Sequence, residues 1–416
     1  MSLSTQPYKG ARDFYPEDKR VQKYMFSVLR QVVEGFGYQE YDAPILEPFE
    51  LYAAKSGEEL VNEQLYSFED KGGRKVAMRP EMTPSVSRMV AARRQELPYP
   101  LRLYSIPNLW RYERPQRGRL REHWQLNIDL FGVEGVEGDH EIILIADSIM
   151  RAFKASGDMY EIRVNSRKHL DRLFSEIKPD EEQKLTITKL VDKKEKIAPE
   201  EFDKLFYEML GEQKARQLLA SLNDTSKPPE NITNLLKLLD KSGVKAVYQP
   251  SLARGFDYYT DIVFEVFDKS PQNNRSMFGG GRYDGLVGLF GVEPVPTVGF
   301  GMGDVTLQNF LEAHKLLPRL SPETDASVIL IGDVYEAAQP VLNELREKGV
   351  NLAIDSSGRS LDTQMRHAVK SDVRYVIFIG EKELSEGHFK VRDLKKGEET
   401  SLTPERVAEH LLASSD

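Results

Sequence analysis

Cysteine is absent from the 416 residues. Disulfide frameworks, thiolate nucleophiles and cysteine-based metal sites are therefore excluded. Histidine is scarce, with seven copies, and no two stand at the H-x-x-x-H spacing of a helical metal site. There is no excess of positive charge: 57 Lys and Arg face 66 Asp and Glu, a formal net charge of −9. A protein coated in basic charge is ruled out, although a local basic patch can still bind phosphates. Long hydrophobic runs are missing, so no membrane span is expected, and Met1–Gly10 lacks the apolar core of a signal peptide. A cytoplasmic protein is the expectation. Apolar residues at 40% and charged residues at 30% suffice for a buried core. The length suggests two or three domains.

Periodicity divides the chain. After Pro16, the residues Val21, Tyr24, Met25, Val28, Leu29, Val32, Val33 and Phe36 repeat at helical spacing and form one stripe, a core face or a dimer face. Extended segments follow at Tyr38–Pro44, Leu65–Phe68, Lys75–Met78 and Leu101–Tyr112. A helix is predicted at Thr83–Arg94, a strand at Trp124–Phe131 and a helix at Glu141–Ala155. Long helices between antiparallel-looking strands indicate an α+β domain. From Ser166 to Lys245 the pattern is helical and rich in Lys, Glu and Leu, as in a helical insertion. A strand resumes at Ile262–Phe267, with glycine-rich turns expected at Gly279–Gly281 and Gly299–Gly303. Beyond a linker at Leu317–Asp325, a β-α-β-α-β pattern runs through Ser327–Ile331, Ala337–Lys348, Asn351–Ile354, Leu361–Lys370 and Tyr375–Ile379. It outlines a small α/β domain.

Four segments carry chemistry. Arg111 to Glu122 holds five arginines within eleven residues, with Pro115 and Gly118 placing a turn among them. Arginine forks suit phosphate or carboxylate, while a solvated charged hairpin is the bland alternative. Met78-Arg79-Pro80-Glu81-Met82-Thr83-Pro84 reads as a rigid corner, in which Glu81 caps the next helix or receives a cationic ligand. Leu252–Thr260 places Arg254 and Gly255 ahead of Tyr258 and Tyr259. Gly279–Gly285 is glycine-rich but is not a Walker loop, because no Gly-Lys-Ser/Thr follows.

In this order along the chain, these segments resemble histidyl-tRNA synthetases, a family of class II aminoacyl-tRNA synthetases. Lys9-Gly10-Ala11-Arg12-Asp13-Phe14 is similar to the family's N-terminal signature. The first helix with Gly37–Pro48 resembles motif 1, the dimerisation element, and Arg111–Asp129 resembles motif 2. Arg254–Thr260 and Gly280–Gly285 resemble the two histidine signatures, and Ser360–Met365 a helix of the anticodon-binding domain. The resemblance implies a class II catalytic domain, an antiparallel sheet flanked by helices. It would be made of residues 1–165 and 246–320, interrupted by a helical insertion at 166–245 and followed by an α/β anticodon-binding domain at 325–416.

The implied activity is that of a histidine–tRNA ligase. Histidine and ATP form histidyl-adenylate, and the acyl group passes to the 3′ end of tRNA(His). Arg111 and Arg254 match the catalytic arginines at the α-phosphate, and Glu113 the acid that reads adenine. Glu81, Thr83, Gln125, Asp129, Arg254, Tyr258, Tyr259 and Tyr283 match the histidine pocket, and Gln116, Arg117 and Arg119 the loop that meets the tRNA acceptor end. Mg²⁺ is implied on the triphosphate, with no metal held by His or Cys, and a homodimer as the assembly.

Two positions depart from the family pattern. Asp129 stands where glutamate is commoner. Thr306 stands where motif 3 usually carries an arginine over adenine, with Arg114 and Arg121 as the nearest substitutes. The loss at Thr306 raises an alternative: a catalytically silent paralogue that regulates ATP phosphoribosyltransferase in histidine biosynthesis. Such paralogues usually lack the intact Arg-Gly-x-x-Tyr-Tyr signature and the anticodon domain, and both patterns are present here.

Overall fold

The computed structural model describes residues 3–54, 60–192, 194, 197–253, 258–271 and 276–413. Two compact units emerge. One holds residues 1–13 and 22–317; the other holds 14–21 and 318–416.

The chain begins with α1 (Pro16–Gly35), of which residues 22–35 belong to the larger unit, then β1 (Gln39–Glu40), β2 (Leu46–Pro48), α2 (Phe49–Ala53), β3 (Ser67–Glu69) and β4 (Lys75–Met78). It continues with α3 (Thr83–Ala92), β5 (Leu101–Ser105), β6 (Asn108–Trp110), β7 (Glu122–Phe131), α4 (Val136–Ala152) and β8 (Tyr160–Ser166). Five helices follow: α5 (Arg167–Ile177), α6 (Glu181–Asp192), α7 (Pro199–Leu210), α8 (Glu212–Asn223) and α9 (Glu230–Lys241). The chain then returns through β9 (Ala246–Tyr248), β10 (Ile262–Asp268), β11 (Ser276–Arg282), β12 (Thr297–Gly303) and α10 (Asp304–Ala313).

The main sheet has the order β1-β5-β7-β12-β11-β10-β8-β9, with β6 on β7. Its centre is antiparallel and only the β1–β5 and β8–β9 edge pairs are parallel. Such a sheet can bury one face under helices and leave the other to line a cleft. α4 covers one face with Ile142, Ile145, Ala146 and Ile149 fully buried. On the first helix Met25, Leu29 and Val33 are buried within the chain itself, so that stripe is in large part a core face. α5 to α8 gather their own core around Leu173, Ile177, Phe202, Phe206 and Leu218, as a self-contained insertion requires.

The smaller unit runs β13 (Ala326–Ile331), α11 (Tyr335–Glu347), β14 (Leu352–Asp355), α12 (Leu361–Lys370), β15 (Tyr375–Gly380), α13 (Glu381–Glu386), β16 (Phe389–Asp393), β17 (Glu399–Leu402) and α14 (Pro404–Leu412). Its sheet order is β14-β13-β15-β16-β17, parallel then antiparallel. Val328, Ile377, Ile379, Leu342 and Leu345 form its core.

Several expectations need correction. The glycine runs at 279–281 and 299–303 are not turns but the central strands β11 and β12. The extended segment 101–112 divides into β5 and β6 at Ile106-Pro107, because proline has no N–H for the ladder. α4 begins five residues before Glu141. Its first turn is acidic, with Glu137 and Asp139 facing the helix N-terminus, and Gly138 breaks the apolar period there. β17 escaped detection because its residues Glu399–Ser401 are exposed and polar.

Candidate active site

The site begins with strand alternation. On β7, Gln125, Asn127 and Asp129 share one face, because side chains alternate with a period of two. Their partners across the ladder are Gly303, Gly301 and Gly299 on β12, and Gly301 and Gly299 in turn face Gly279 and Gly281 on β11. A row without side chains makes a floor, over which the longer side chains of neighbouring elements close a cleft of about 410 Å³, part of it open to solvent. Its wall is formed by Glu81, Thr83, Arg111, Gln125, Asn127, Asp129, Tyr258, Tyr259 and Tyr283. At its centre the floor has no spare space. A Cβ at Gly299 would lie 2.2 Å from Ile128 O, and one at Gly301 would lie 1.7 Å from Gln125 Nε2.

Glu81 sits at the corner read as a cap or receptor. It does not cap: the residue before α3 is Met82, and no side chain caps that helix. Glu81 is buried and accepts a hydrogen bond from Tyr258 Oη at 3.2 Å. Arg79 fixes the corner, with Nη1 donating to Asp42 Oδ1 (2.7 Å) and Ala43 O (2.6 Å) and Nε to Asn108 O (3.0 Å). Arg111 is tied to the same corner through Nε to Pro80 O at 2.8 Å. Beside it, His123 is pushed down to about 3 by burial and then by the Arg111 and Arg12 guanidiniums, so it stays neutral under working conditions.

Tyr258, Tyr259 and Tyr283 pack as a tilted, edge-to-face cluster, with centroids 4.9, 5.6 and 6.4 Å apart. Tyr283 Oη donates to Asp129 Oδ1. Its backbone is held by Arg282, whose guanidinium reaches Asp139 Oδ2 (2.6 Å), Val133 O (2.8 Å) and Gly135 O (2.9 Å). Burial pushes Asp129 up to about 7, against the nearby hydroxyls of Tyr283 and Tyr41, which pull it down.

The folded state therefore binds a proton at Asp129 that the unfolded chain, with an ordinary carboxylate near 3.9, has already released. Between about pH 4 and 7 the native state holds more protons, so this group's contribution to stability falls as pH rises through that window. Asp129→Asn should accordingly raise the melting temperature of the ligand-free protein more at pH 8 than at pH 5. An equal change at both values would show that the carboxyl titrates normally.

Glu113 and Thr306 do not line the cleft. Glu113 Oε2 lies 3.5 Å from Arg119 Nη1 in the arginine-rich loop, where Gln116 and Arg119 pair across a tight turn. Thr306, in the first turn of α10, directs Oγ1 to Met277 O (2.9 Å) and Gly303 O (3.0 Å). Its methyl faces that loop, 3.7 Å from where a Cβ on Gly118 would stand. Arg121 does not serve as a substitute cation. It is buried over the Tyr112 ring at 3.9 Å, with Nε to Glu113 O and Nη1 to Tyr8 Oη, and Gly10 packs on its stem. Arg114 and Arg117 are exposed. Arg254 lies outside the described residues. The N-terminal signature is structural: Arg12 Nη2 pairs with Asp304 Oδ2 at 2.7 Å, and Asp304 Oδ1 accepts from Trp124 N–H at 3.0 Å. Asn127 was missed in the sequence, although alternation between Gln125 and Asp129 pointed to it.

An antiparallel sheet with a glycine floor, an arginine on an adjoining strand–loop–strand, and a separate mixed-sheet unit with its own core define a class II synthetase architecture. A family model described as Histidyl-tRNA synthetase matches residues 10–305, and one described as Anticodon binding domain matches residues 325–414. The chain belongs to the histidyl-tRNA synthetase family.

Among curated relatives, the histidine–tRNA ligase of Leptospira biflexa is 42% identical over 409 residues, covering 94% of each chain. That of Haloarcula marismortui is 37% identical over 414 residues, covering 95% of this chain and 94% of the relative. A solved histidyl-tRNA synthetase from a Nostoc species superposes with a TM-score of 0.82 at 22% identity, over 99% of this chain and all of that one. The apo enzyme of S. aureus gives 0.74 at 23%, over 98% and 100%. These two share the fold. No helix among the described residues is long and apolar enough to cross a membrane.

Proposed function

We propose that the chain is a histidine–tRNA ligase whose cleft forms histidyl-adenylate from histidine and ATP and delivers the acyl group to the 3′ end of tRNA(His). The observation that carries this reading is the convergence of Glu81, Arg111, Gln125, Asp129, Tyr258 and Tyr283 on one glycine-floored cleft. In the first step a histidine carboxylate oxygen attacks the α-phosphorus, the bond to the bridging oxygen breaks, and pyrophosphate leaves. In the second, a ribose hydroxyl of the terminal adenosine attacks the acyl carbon, the bond from that carbon to the phosphate oxygen breaks, AMP leaves, and the hydroxyl proton passes to the departing phosphate or to solvent. The first step gathers negative charge on the α-phosphoryl oxygens, and Arg111 is placed to receive it. Arg254 is assigned to the opposite side of that group on the resemblance alone.

Glu81, with Thr83 and Gln125, takes the substrate ammonium. Asp129 and the tyrosines take the imidazole, whose two nitrogens need one acceptor and one group that can donate or accept. Glu113 reads the adenine amino group once Arg119 has swung away. Thr306 bounds the nucleotide by shape, through its methyl, because its hydroxyl is already committed.

Among the described residues no cluster of three His, Cys, Asp or Glu could hold a metal. On the resemblance alone, magnesium is assigned to the nucleotide phosphates, and it carries no step here. Histidine-dependent exchange of pyrophosphate into ATP tests the reading. A folded protein with no exchange, yet able to bind histidine, would favour the regulatory paralogue.

The loop Gln116–Arg121 meets the acceptor end and the 325–416 unit the anticodon. Replacing Arg117 and Arg119 together by alanine should leave pyrophosphate exchange within about twofold, raise the KM for tRNA about tenfold, and flatten its salt dependence by roughly one unit of slope per lost phosphate contact. Unchanged salt dependence would remove these arginines from the interface.

A homodimer is proposed through the motif 1 region. Ile45, Leu46 and Phe68 are large apolar side chains left exposed on and beside the small β2-β4-β3 sheet, and two-fold assembly is the commonest closure. Sedimentation at micromolar concentration tests it.

A further inference from the structure

Behind the cleft, three polar side-chain atoms are buried together: Tyr41 Oη, Ser105 Oγ and Asp129 Oδ2. None is seated in a hydrogen bond of good geometry. Their meeting follows from strand register. The parallel pairs Gln39↔Leu103 and Glu40↔Tyr104 continue to Tyr41, whose N–H donates to Tyr104 O at 2.8 Å, and so bring Tyr41 beside Ser105. The antiparallel pairs Leu103↔Asp129 and Ser105↔Asn127 put Ser105 on the same face as Asp129, one diagonal away. Neither Tyr41 nor Ser105 lines the cleft.

Buried polar atoms left unpaired cost free energy, and hydroxyl hydrogens can rotate. Asp129 can only accept when ionised. Tyr41 can donate to one neighbour while accepting from another, and the β1–β5 register sets Ser105 beside it on the same face.

We propose that Ser105 and Tyr41 are positioning residues for histidine selection: Ser105 donates to the Tyr41 oxygen and Tyr41 donates to Asp129. The carboxylate, held by Tyr41 from behind and Tyr283 from the side, keeps an acceptor turned to the substrate imidazole. This rests on the reading that Asp129 meets that imidazole.

The groups that face Asp129 are few. Tyr283 follows β11 and Tyr41 follows β1, and both are pushed well above the ordinary phenol range by burial and by Asp129 itself. Tyr38, after α1, also feels Asp129. It too is pushed up, mainly by burial, and donates to Glu141, which pairs with Arg102 on β5. None of these phenols titrates between pH 6 and 9, so in that range Asp129 and the substrate are the groups that change. Removing a donor to a carboxylate raises its pKa.

The test is the histidine Kd of the full-length protein by calorimetry from pH 6 to 9, for wild type, Tyr41→Phe, Ser105→Ala and Asp129→Asn. ATP binding is measured on each sample. The substrate's own titration cancels in the ratio of variant to wild type. If loss of the Tyr41 hydroxyl raises Asp129 by about one unit, Tyr41→Phe should weaken histidine binding about fivefold at pH 7 and less than about twofold at pH 9. Ser105→Ala should move the same way by less, and both should bind ATP as wild type does. A Tyr41→Phe or Ser105→Ala ratio that is constant across pH overturns the proposal, since a merely structural defect carries no pH signature. Ser105→Ala decides alone if Tyr41→Phe does not fold. Asp129→Asn separates the two levels. Unchanged histidine affinity there removes the parent reading, whereas a large loss there beside a flat Tyr41→Phe ratio removes only the positioning role.

Discussion

Gly299→Ala is expected to abolish histidine binding and to lower stability by about 1–3 kcal/mol, the usual range for overpacking. The new methyl would stand 2.2 Å from Ile128 O and 2.9 Å from both Asp129 Oδ1 and Tyr283 Oη. The first of these is backbone within a paired central strand, so it cannot yield without parting β7 from β12. Gly301→Ala provides the contrast. Its nearest neighbour, at 1.7 Å, is Gln125 Nε2, the end of a side chain that can swing aside. That variant should keep most of its melting temperature and raise the KM for histidine, because Gln125 is displaced from the cleft. Thermal melts with histidine titrations on both variants decide the matter. Equal stability losses would mean that the floor is not as tight as the register implies.

Arg111→Ala is expected to reduce pyrophosphate exchange by about 10²–10³, equivalent to roughly 2.7–4 kcal/mol of transition-state stabilisation. The histidine Kd should change little. Some loss of stability should accompany this, because the tie from Arg111 Nε to Pro80 O also disappears, and one such bond contributes about 1 kcal/mol. Arg111→Lys separates the two effects. It restores a positive charge without the fork that reaches both the carbonyl and a phosphoryl oxygen. A partial recovery of exchange is expected there, with KM for ATP still raised. If Arg111→Ala exchanges pyrophosphate at a near-normal rate, the cation at the α-phosphate must be sought elsewhere.

Much of this site was legible in the sequence, for unequal reasons. Gln125 and Asp129 fall on one strand with even spacing, so once Trp124–Phe131 is read as extended their shared face follows, and Asn127 follows with them. Glu81 was legible as an oddity between prolines, but not as a buried acceptor, because its partner Tyr258 lies 177 residues away. The glycine runs misled for a physical reason. Glycine favours turns when only its own freedom is considered, whereas here the space above Gly301 and Gly299 is claimed by Gln125 on β7 and by Tyr283 just past β11. Tyr41 and Ser105 were invisible for the same reason, since their meeting depends on the register of segments some 60 residues apart. Thr306 was read from the sequence as a missing guanidinium. That its hydroxyl is taken by Met277 O depends on how α10 starts over β11.

The clasp of Arg282 on the carbonyls of Val133 and Gly135 has a thermodynamic consequence. Asp129 and the Gly132–Gly135 turn belong to one continuous stretch, and Arg282 immediately precedes Tyr283, so donor and acceptor at the imidazole end share a single frame. The acceptor-end loop has no such clasp. Arg117 and Arg119 sit on an exposed turn, and long side chains lose rotamer freedom when a ligand orders them. Histidine and tRNA should therefore have different calorimetric signatures: histidine enters a preset cradle with little entropic opposition, and tRNA binds with an unfavourable entropy term that reflects the settling of the arginine loop.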